Sequence, residues 1–136
     1  MIVVDNDVLC YFWIQMDTDR SAQARRVREL DPDWVAPRLW YSEFRNVLRA
    51  YMKGGYMQYK EALQFARDAE ADMAEQTYSV ASSDVLRLVN ETGHSAYDCE
   101  YVALAERLDS FLVTGDKQLC HLFPDTAILL EDFANR

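Results

Sequence analysis

The sequence predicts a three-layer α/β sandwich, in which helices cover both faces of a short-stranded, mostly parallel sheet. Short apolar segments, the first of them the β-branched run Ile2-Val3-Val4, alternate with longer segments of helical spacing. Such strands are typical of a parallel sheet that is buried on both faces. The chain of 136 residues contains no repeat, low-complexity tract or flexible linker. We therefore expect one domain over residues 1–136.

Local signals place the elements in order along the chain. Apolar runs of three or four residues predict strands, and Asp31-Pro32 and Gly54-Gly55 each end a helix. Ser95 and Asp98 resemble a capping box that opens a helix. The predicted strands are 2–4, 34–36, 77–80, 111–113 and 127–130. The predicted helices are 7–15, 18–30, 39–53, 58–74, one from Ser82 or Ser83 to Thr92-Gly93, one from Ser95 to Leu108, and 116–122.

Composition excludes several classes of protein. Half of the residues are hydrophobic and 12% are aromatic, which is too rich for a disordered chain. No apolar run reaches the roughly 18 residues that a membrane helix needs, so no membrane partner is expected. The three cysteines, Cys10, Cys99 and Cys120, show no C-x-x-C spacing. Reduced thiols and a cytoplasmic protein are the expectation.

The net charge of −9 at first argues against a nucleic-acid partner. The charge is unevenly distributed, because residues 1–60 carry a balance of +1 and residues 61–136 a balance of −10. A metal site made of carboxylates is itself acidic before it binds its ions. Acidity is therefore weak evidence against RNA.

Four acids occupy related places in the predicted sheet. Asp5 directly follows the first strand, and Asp116 lies just past the fourth. Asp98 is in the first turn of the helix that leads into the fourth strand, and Glu43 is on the helix after the second strand. Because ligands gather at the carboxyl ends of parallel strands, we expect one acidic pocket. Each acid taken singly also has a structural explanation, as a helix cap or a solvated residue, and the sequence leaves that open.

Four carboxylates suit a hard cation, Mg²⁺ or Mn²⁺, rather than zinc. Neither His94 nor His121 has a partner at metal-ligand or triad spacing, so both are interpreted as surface or boundary residues. No glycine-rich phosphate loop occurs.

The four acids lie in the segments VVDNDVL with Asp5, YSEFRNVLRAYMKGG with Glu43, SAYDCEYVALAERL with Asp98 and FLVTGDKQL with Asp116. These segments resemble those of the PIN domain, and within it the VapC-type toxins of bacterial toxin–antitoxin pairs. The resemblance covers essentially the whole chain. It implies a parallel sheet, an endoribonuclease dependent on Mg²⁺ or Mn²⁺, a homodimer, and inhibition by a small cognate antitoxin. Asp7 stands where relatives commonly have Ser or Thr, which implies a further carboxylate at the site.

Roles follow for the remaining candidates. Asp5, Asp98 and Asp116 are the expected principal ligands, with Glu43 as a ligand directly or through water. Hydroxyls of Ser95 and Thr114 are candidates for holding ligands or phosphate, and Asn46 lies one turn from Glu43. For these three a purely structural role is the alternative. Basic residues in the first half are the candidates for RNA contact, with a solvated helix face as the alternative: Arg20, Arg25, Arg26 and Arg28 on one helix, and Arg45, Arg49 and Lys53 on the Glu43 helix.

Two other functions compete with this hypothesis. Val3 to Leu9 also fits the opening motif of a haloacid-dehalogenase-type phosphatase, with Asp5 as nucleophile, Asp7 as acid or base and Asp116 as a metal ligand. That hypothesis leaves Glu43 and Asp98 without a role. The second alternative is a PIN-like module that binds RNA or protein with a catalytically idle site.

Overall fold

A computed structural model describes residues 1–136. Its sheet has five strands, which are short, and every pairing between them is parallel: β1 (Ile2–Val4), β2 (Trp34–Pro37), β3 (Thr77–Tyr78), β4 (Leu112–Thr114) and β5 (Ala127–Leu129). The strands lie in the order β3-β2-β1-β4-β5, which puts β1 at the centre. The predicted mostly parallel sheet is confirmed.

Eight helices connect and cover the strands: α1 (Asn6–Trp13), α2 (Thr18–Leu30), α3 (Leu39–Lys53), α4 (Tyr59–Met73), α5 (Ser82–Thr92), α6 (Ala96–Arg107), α7 (Lys117–Leu122) and α8 (Leu130–Ala134). The chain moves from β1 outward to β3 and then crosses to β4 on the other side of β1. Because crossovers are right-handed, this reversal puts α1–α4 and α5–α6 on opposite faces of the sheet. The α6 helix packs across β1, β2 and β4, whereas α1 packs with α2, α3 and α4.

The core fills the space between these layers. Val3, Val4 and Val113 are completely buried in the central strands, as strands covered on both faces require. The aromatic side chains of Trp34, Trp40 and Phe44 are buried on the side of β2 and α3, with at most 1% exposure. One connected cluster of buried side chains therefore supports the strand ends at which the acids lie.

The structure differs from the sequence prediction at several element ends. The third strand ends at Tyr78 instead of residue 80, and the first helix ends at Trp13 instead of residue 15. The fourth strand is Leu112–Thr114, one residue later than predicted, and Phe111 is 44% exposed beneath the guanidinium of Arg136. Leu130 begins a helix instead of ending the fifth strand, because the buried face of α8 packs against α2. Ala81 precedes α5 without a side-chain cap, so neither Ser82 nor Ser83 has the predicted capping role.

The sheet order fixes where a site can form. The direction of travel reverses between β1 and β4, and in open parallel sheets ligands bind at such a reversal, beyond the carboxyl ends of the strands. Asp5 and Asp116 lie at that point. The three cysteines are free thiols. None of the helices is both long enough and apolar enough to cross a membrane.

Candidate active site

Thr114 joins the two acids at the ends of the central strands. Its hydroxyl donates to Asp5 Oδ2 at 2.7 Å, and its oxygen accepts the Asp116 backbone N–H at 3.1 Å. Thr114 is completely buried, so this bridge is shielded from water. The second Asp5 oxygen accepts the backbone N–H of Asn6 at 2.7 Å, which makes Asp5 the cap of α1. Asp116 caps α7 in the same way, through the N–H groups of Gln118 and Leu119.

Asp7 is a fifth carboxylate at the same edge. Its Oδ2 accepts the N–H of Gly115 at 2.9 Å, which ties the first turn of α1 to the turn between Thr114 and Asp116. Its Oδ1 is buried and has no hydrogen-bond partner. A Cβ added at Gly115 would lie 2.6 Å from Asp7 Oδ2, so only glycine permits this approach. The extra carboxylate noted in the sequence is thus built into the strand ends.

Glu43 is held by a residue that the sequence analysis did not single out. The hydroxyl of Tyr101 donates to Glu43 Oε1 at 2.6 Å, across a sequence separation of 58 residues. Tyr101 is completely buried on α6, so its hydroxyl reaches Glu43 from a fixed ring. Burial also raises the pKa of the Tyr101 hydroxyl, helped by the negative charge of Glu43, which keeps it a proton donor.

Asp98 is held by His94, which was interpreted from the sequence as a surface or boundary residue. The ring nitrogen Nε2 lies 2.8 Å from Asp98 Oδ2, and the His94 side chain is only 14% exposed. Ser95 does cap α6, by accepting the Tyr97 N–H at 3.2 Å. The Asp98 carboxylate bonds the His94 ring, and the reciprocal half of the predicted capping box is not formed. The spacing of four between His94 and Asp98 was the signal that could have indicated this pair.

The five carboxylates are close enough to perturb one another. Burial raises the pKa of Asp5 to about 6, opposed by hydrogen bonds from Thr114 and Asn6 and reinforced by the charges of Glu43 and Asp98. Burial likewise raises the pKa of Asp7 to about 7, with added repulsion from Asp5 and Asp116.

The same effect extends to the helix acids. Burial raises the pKa of Glu43, opposed by the Tyr101 hydrogen bond, while the charges of Asp98, Glu100 and Asp7 raise it further. Asp5, Asp7, Glu43, Asp98 and Asp116 therefore share one concentrated negative field. A cation would relieve that field.

The donor set suits a hard divalent cation. All five groups offer carboxylate oxygens, and the buried Oδ1 of Asp7 lacks a partner. In this structure, however, no three His, Cys, Asp or Glu side chains are spaced so that they could hold a metal ion together. Joint ligation would thus require rotation of side chains from the positions seen here.

The remaining candidates on α3 form no hydrogen bond or ion pair with the five carboxylates. Asn46 is exposed and makes no hydrogen bond to any of the acids. Arg45 pairs with Glu70 at 3.3 Å and lies over the ring of Tyr41. Arg49 and Lys53 are exposed further along α3. Their predicted contact with RNA stays a prediction.

Comparison with known proteins supports the resemblance. The chain is 29% identical over 130 residues to a protein named Ribonuclease VapC3 from Pyrobaculum aerophilum, an alignment that covers 90% of this chain and 95% of the relative. No family model matches the chain. Two solved structures share its fold.

The first is the crystal structure of PAE2754 from Pyrobaculum aerophilum, with a TM-score of 0.75 and 22% identity over 99% of this chain and 94% of that one. The second is FitAB bound to the IR36 DNA fragment, with a TM-score of 0.68 and 14% identity over 96% of each chain. The PIN-like fold and the resemblance to a VapC ribonuclease that the sequence predicted are confirmed.

Proposed function

We propose that this chain, which resembles the PIN-domain ribonucleases, is an endoribonuclease that hydrolyses RNA phosphodiester bonds with the help of Mg²⁺ or Mn²⁺. The observation that carries the proposal is the convergence of five carboxylates from four separate segments on the reversal point of a parallel sheet. Helix capping explains the positions of Asp5 and Asp116. It does not explain why Glu43, which lies in the middle of a helix, is close to the other acids. The similarity to Ribonuclease VapC3 supports RNA as the substrate.

The chain's residues prepare this edge for catalysis. Asp5, Asp98 and Asp116 would hold the ion, with Glu43 directly or through water, and a bound divalent cation supplies a water of lowered pKa and stabilises charge on the phosphate. Thr114 sets the relative position of Asp5 and Asp116. Tyr101 and His94 orient the two helix acids, as residues behind metal ligands commonly do.

The same similarity supports a role within a toxin–antitoxin pair. The fold is similar to that of FitAB, which was solved bound to a DNA fragment. We propose a cognate antitoxin protein as partner and a homodimer as the assembled form. Co-expression with the products of the reading frames that flank the gene, followed by size-exclusion chromatography with light scattering, tests both. A monomer without a co-purifying protein would contradict this part.

Cleavage of RNA is tested with Asp98→Asn. We expect the variant to lose Mn²⁺-dependent cleavage of single-stranded RNA, on the order of 100-fold, since an amide lacks the negative charge with which a carboxylate attracts a divalent cation. Asp84→Asn is a matched control, because Asp84 occupies the first turn of the preceding helix and lies outside the site. Circular dichroism checks that both variants fold. An Asp98→Asn protein that cleaves as fast as the parent would remove Asp98 from the site.

The phosphatase alternative is disfavoured because it leaves two acids of the site without a role. Glu43 and Asp98 lie close enough to Asp5 for their charges to raise its pKa, but the phosphatase motif uses neither of them. Turnover of a phosphomonoester, or trapping of a phosphoaspartate with beryllofluoride, would support that alternative instead. Calorimetric titration with Mn²⁺ addresses the idle-module alternative, since an idle pocket need not bind the ion.

A further inference from the structure

Arg20 is held in a defined position at the start of α2. Its backbone N–H is capped by Asp17 Oδ1 at 3.0 Å, and the next residue, Ser21, donates its hydroxyl to the Tyr11 carbonyl at 2.7 Å. These bonds fix the first turn of α2 against the end of α1. The Arg20 guanidinium lies over the Tyr11 ring, with Cζ 5.8 Å from its centroid. The side chain therefore leaves α2 in a direction that the fold sets.

That direction leads to the carboxylates. A Cβ built on Gly115 would lie 3.3 Å from the Nη1 atom of Arg20 and 2.6 Å from Asp7 Oδ2. Arg20 and Asp7 thus approach the same glycine, in the turn that joins Thr114 to Asp116. Of the basic residues that the sequence analysis grouped on this helix, Arg20 is the one that reaches the site.

Apart from its contact with the Tyr11 ring, the Arg20 guanidinium has no partner, whereas its neighbours on α2 form hydrogen bonds or ion pairs. Arg28 forms two hydrogen bonds to Asp72 and lies over Trp34, while Arg26 pairs with Glu29 and Arg25 bonds Gln15. Arg20 forms no ion pair and no side-chain hydrogen bond, although it lies beside Asp7. Its donors are therefore available, and a guanidinium presents them in a planar arrangement that matches a phosphate.

We infer that Arg20 binds a backbone phosphate of the substrate next to the carboxylate cluster. The inference rests on the proposed function and names a binding group for it. An RNA strand carries negative charge towards a cluster of five acids, so a fixed positive charge beside that cluster favours the binding of a phosphate there. Arg20 is placed on the Gly115 side of the site, where its donors face the turn between Thr114 and Asp116.

The test compares Arg20→Gln with Arg107→Gln. Both substitutions remove one unpaired arginine charge, but Arg107 is the last residue of α6, nine residues beyond Asp98 and about 13 Å away along the helix. Binding of labelled single-stranded RNA is measured by fluorescence anisotropy over a range of salt concentrations, with Ca²⁺ in place of Mn²⁺. Cleavage with Mn²⁺ is measured in parallel for all proteins.

We expect Arg20→Gln to weaken RNA binding about tenfold, as loss of a hydrogen bond to a charged group does. The slope of log affinity against log salt should fall by about 0.7, the value for one phosphate contact on a single strand. KM should rise in the cleavage assay, and Arg20→Lys should recover part of the affinity. Arg107→Gln should stay within twofold of the parent.

Two outcomes overturn the inference, and they are distinguishable. If the parent binds and cleaves RNA while Arg20→Gln matches Arg107→Gln in affinity and salt slope, the role of Arg20 is wrong and the proposed function stands. If the parent neither binds nor cleaves RNA, the proposed function fails and the inference fails with it. Thermal unfolding and Mn²⁺ titration show whether Arg20→Gln has kept its fold and its cation site.

Discussion

The carboxylates at the strand ends and those on the helices are held in different ways. Asp5, Asp7 and Asp116 each accept at least one hydrogen bond from a backbone N–H: from Asn6, from Gly115, and from both Gln118 and Leu119. Asp5 also accepts one from the Thr114 hydroxyl. Glu43 and Asp98 accept theirs from side chains, the Tyr101 hydroxyl and the His94 ring. Main-chain donors exist wherever the fold exists, whereas side-chain donors depend on single residues.

Because of this difference, we divide the acids of the site into a fixed and an adjustable part. The strand-end acids form the fixed part, because their positions follow from the sheet and the starts of α1 and α7. The helix acids form the adjustable part, because a substitution at Tyr101 or His94 can change their orientation without changing the fold. Substitutions in the fixed part should therefore affect stability as well as cation binding, and those in the adjustable part mainly cation binding.

The largest effect is expected from Asp7→Asn. The pKa of Asp7 is raised from 3.8 to about 7, so between these values the folded chain binds more protons than the unfolded chain. The free energy of unfolding therefore falls as the pH rises from about 4 to about 7, and it stays lowered by the full amount above pH 7. Removing the charge should raise the free energy of unfolding at pH 8 by on the order of 2 kcal/mol.

This prediction is measured by urea unfolding in chelator at pH 5 and pH 8. Asparagine retains an oxygen that can accept the Gly115 N–H, so the substitution isolates the charge. Asp19→Asn serves as the control, because Asp19 is exposed in the first turn of α2. If the stability of Asp7→Asn falls with pH as steeply as that of the parent, ionisation of Asp7 is not the cause of the destabilisation.

A second, smaller effect is expected from Thr114→Val, which removes the hydroxyl between Asp5 and Asp116. Loss of a buried hydrogen bond to a carboxylate should lower the free energy of unfolding by about 1–2 kcal/mol. The hydrogen bond also lowers the pKa of Asp5, so its loss should raise that pKa and weaken Mn²⁺ binding near pH 6.5 by about tenfold. Calorimetric titration measures the affinity, and Thr114→Ser should restore it. Unchanged affinity in the valine variant would mean that the bridge does not position the ligands.

The strand-end part of the site was accessible from the sequence for a local reason. Each of the two strands is a short apolar run that is followed at once by polar residues, Asp5 in one case and Thr114-Gly115-Asp116 in the other. A few neighbouring residues therefore predict both the strand and the position where it ends. The fourth strand was nonetheless misplaced by one residue, because Phe111 is as apolar as its neighbours but lies at the surface. Leu130 was predicted to end the fifth strand because it continues an apolar run. Its burial instead results from the packing of α8.

The helix part was less accessible because its contacts are not local. The pairing of Glu43 with Tyr101 joins α3 to α6 across the sheet edge, and no spacing in the sequence encodes it. Arg20 could not be separated from the other arginines of α2 by sequence, since only the fold brings it to Gly115. Only His94 had a local signal in the sequence, because it lies four residues before Asp98. A solvated surface residue was nonetheless the simpler interpretation of His94.

The smallest effect is expected from Tyr101→Phe, which tests the adjustable part directly. The ring still fills its buried position, so the loss in unfolding free energy should be about 1 kcal/mol or less, since half-buried Glu43 can turn to water. Without the hydroxyl the pKa of Glu43 should rise, and Mn²⁺ affinity near pH 6.5 should fall a few-fold, less than in Thr114→Val. Tyr97→Phe is the control, because Tyr97 lies one turn earlier on α6 and is 65% exposed. A Tyr101→Phe protein that loses more stability than Thr114→Val would place Glu43 in the fixed part, and the division between backbone-held and side-chain-held acids would then be wrong.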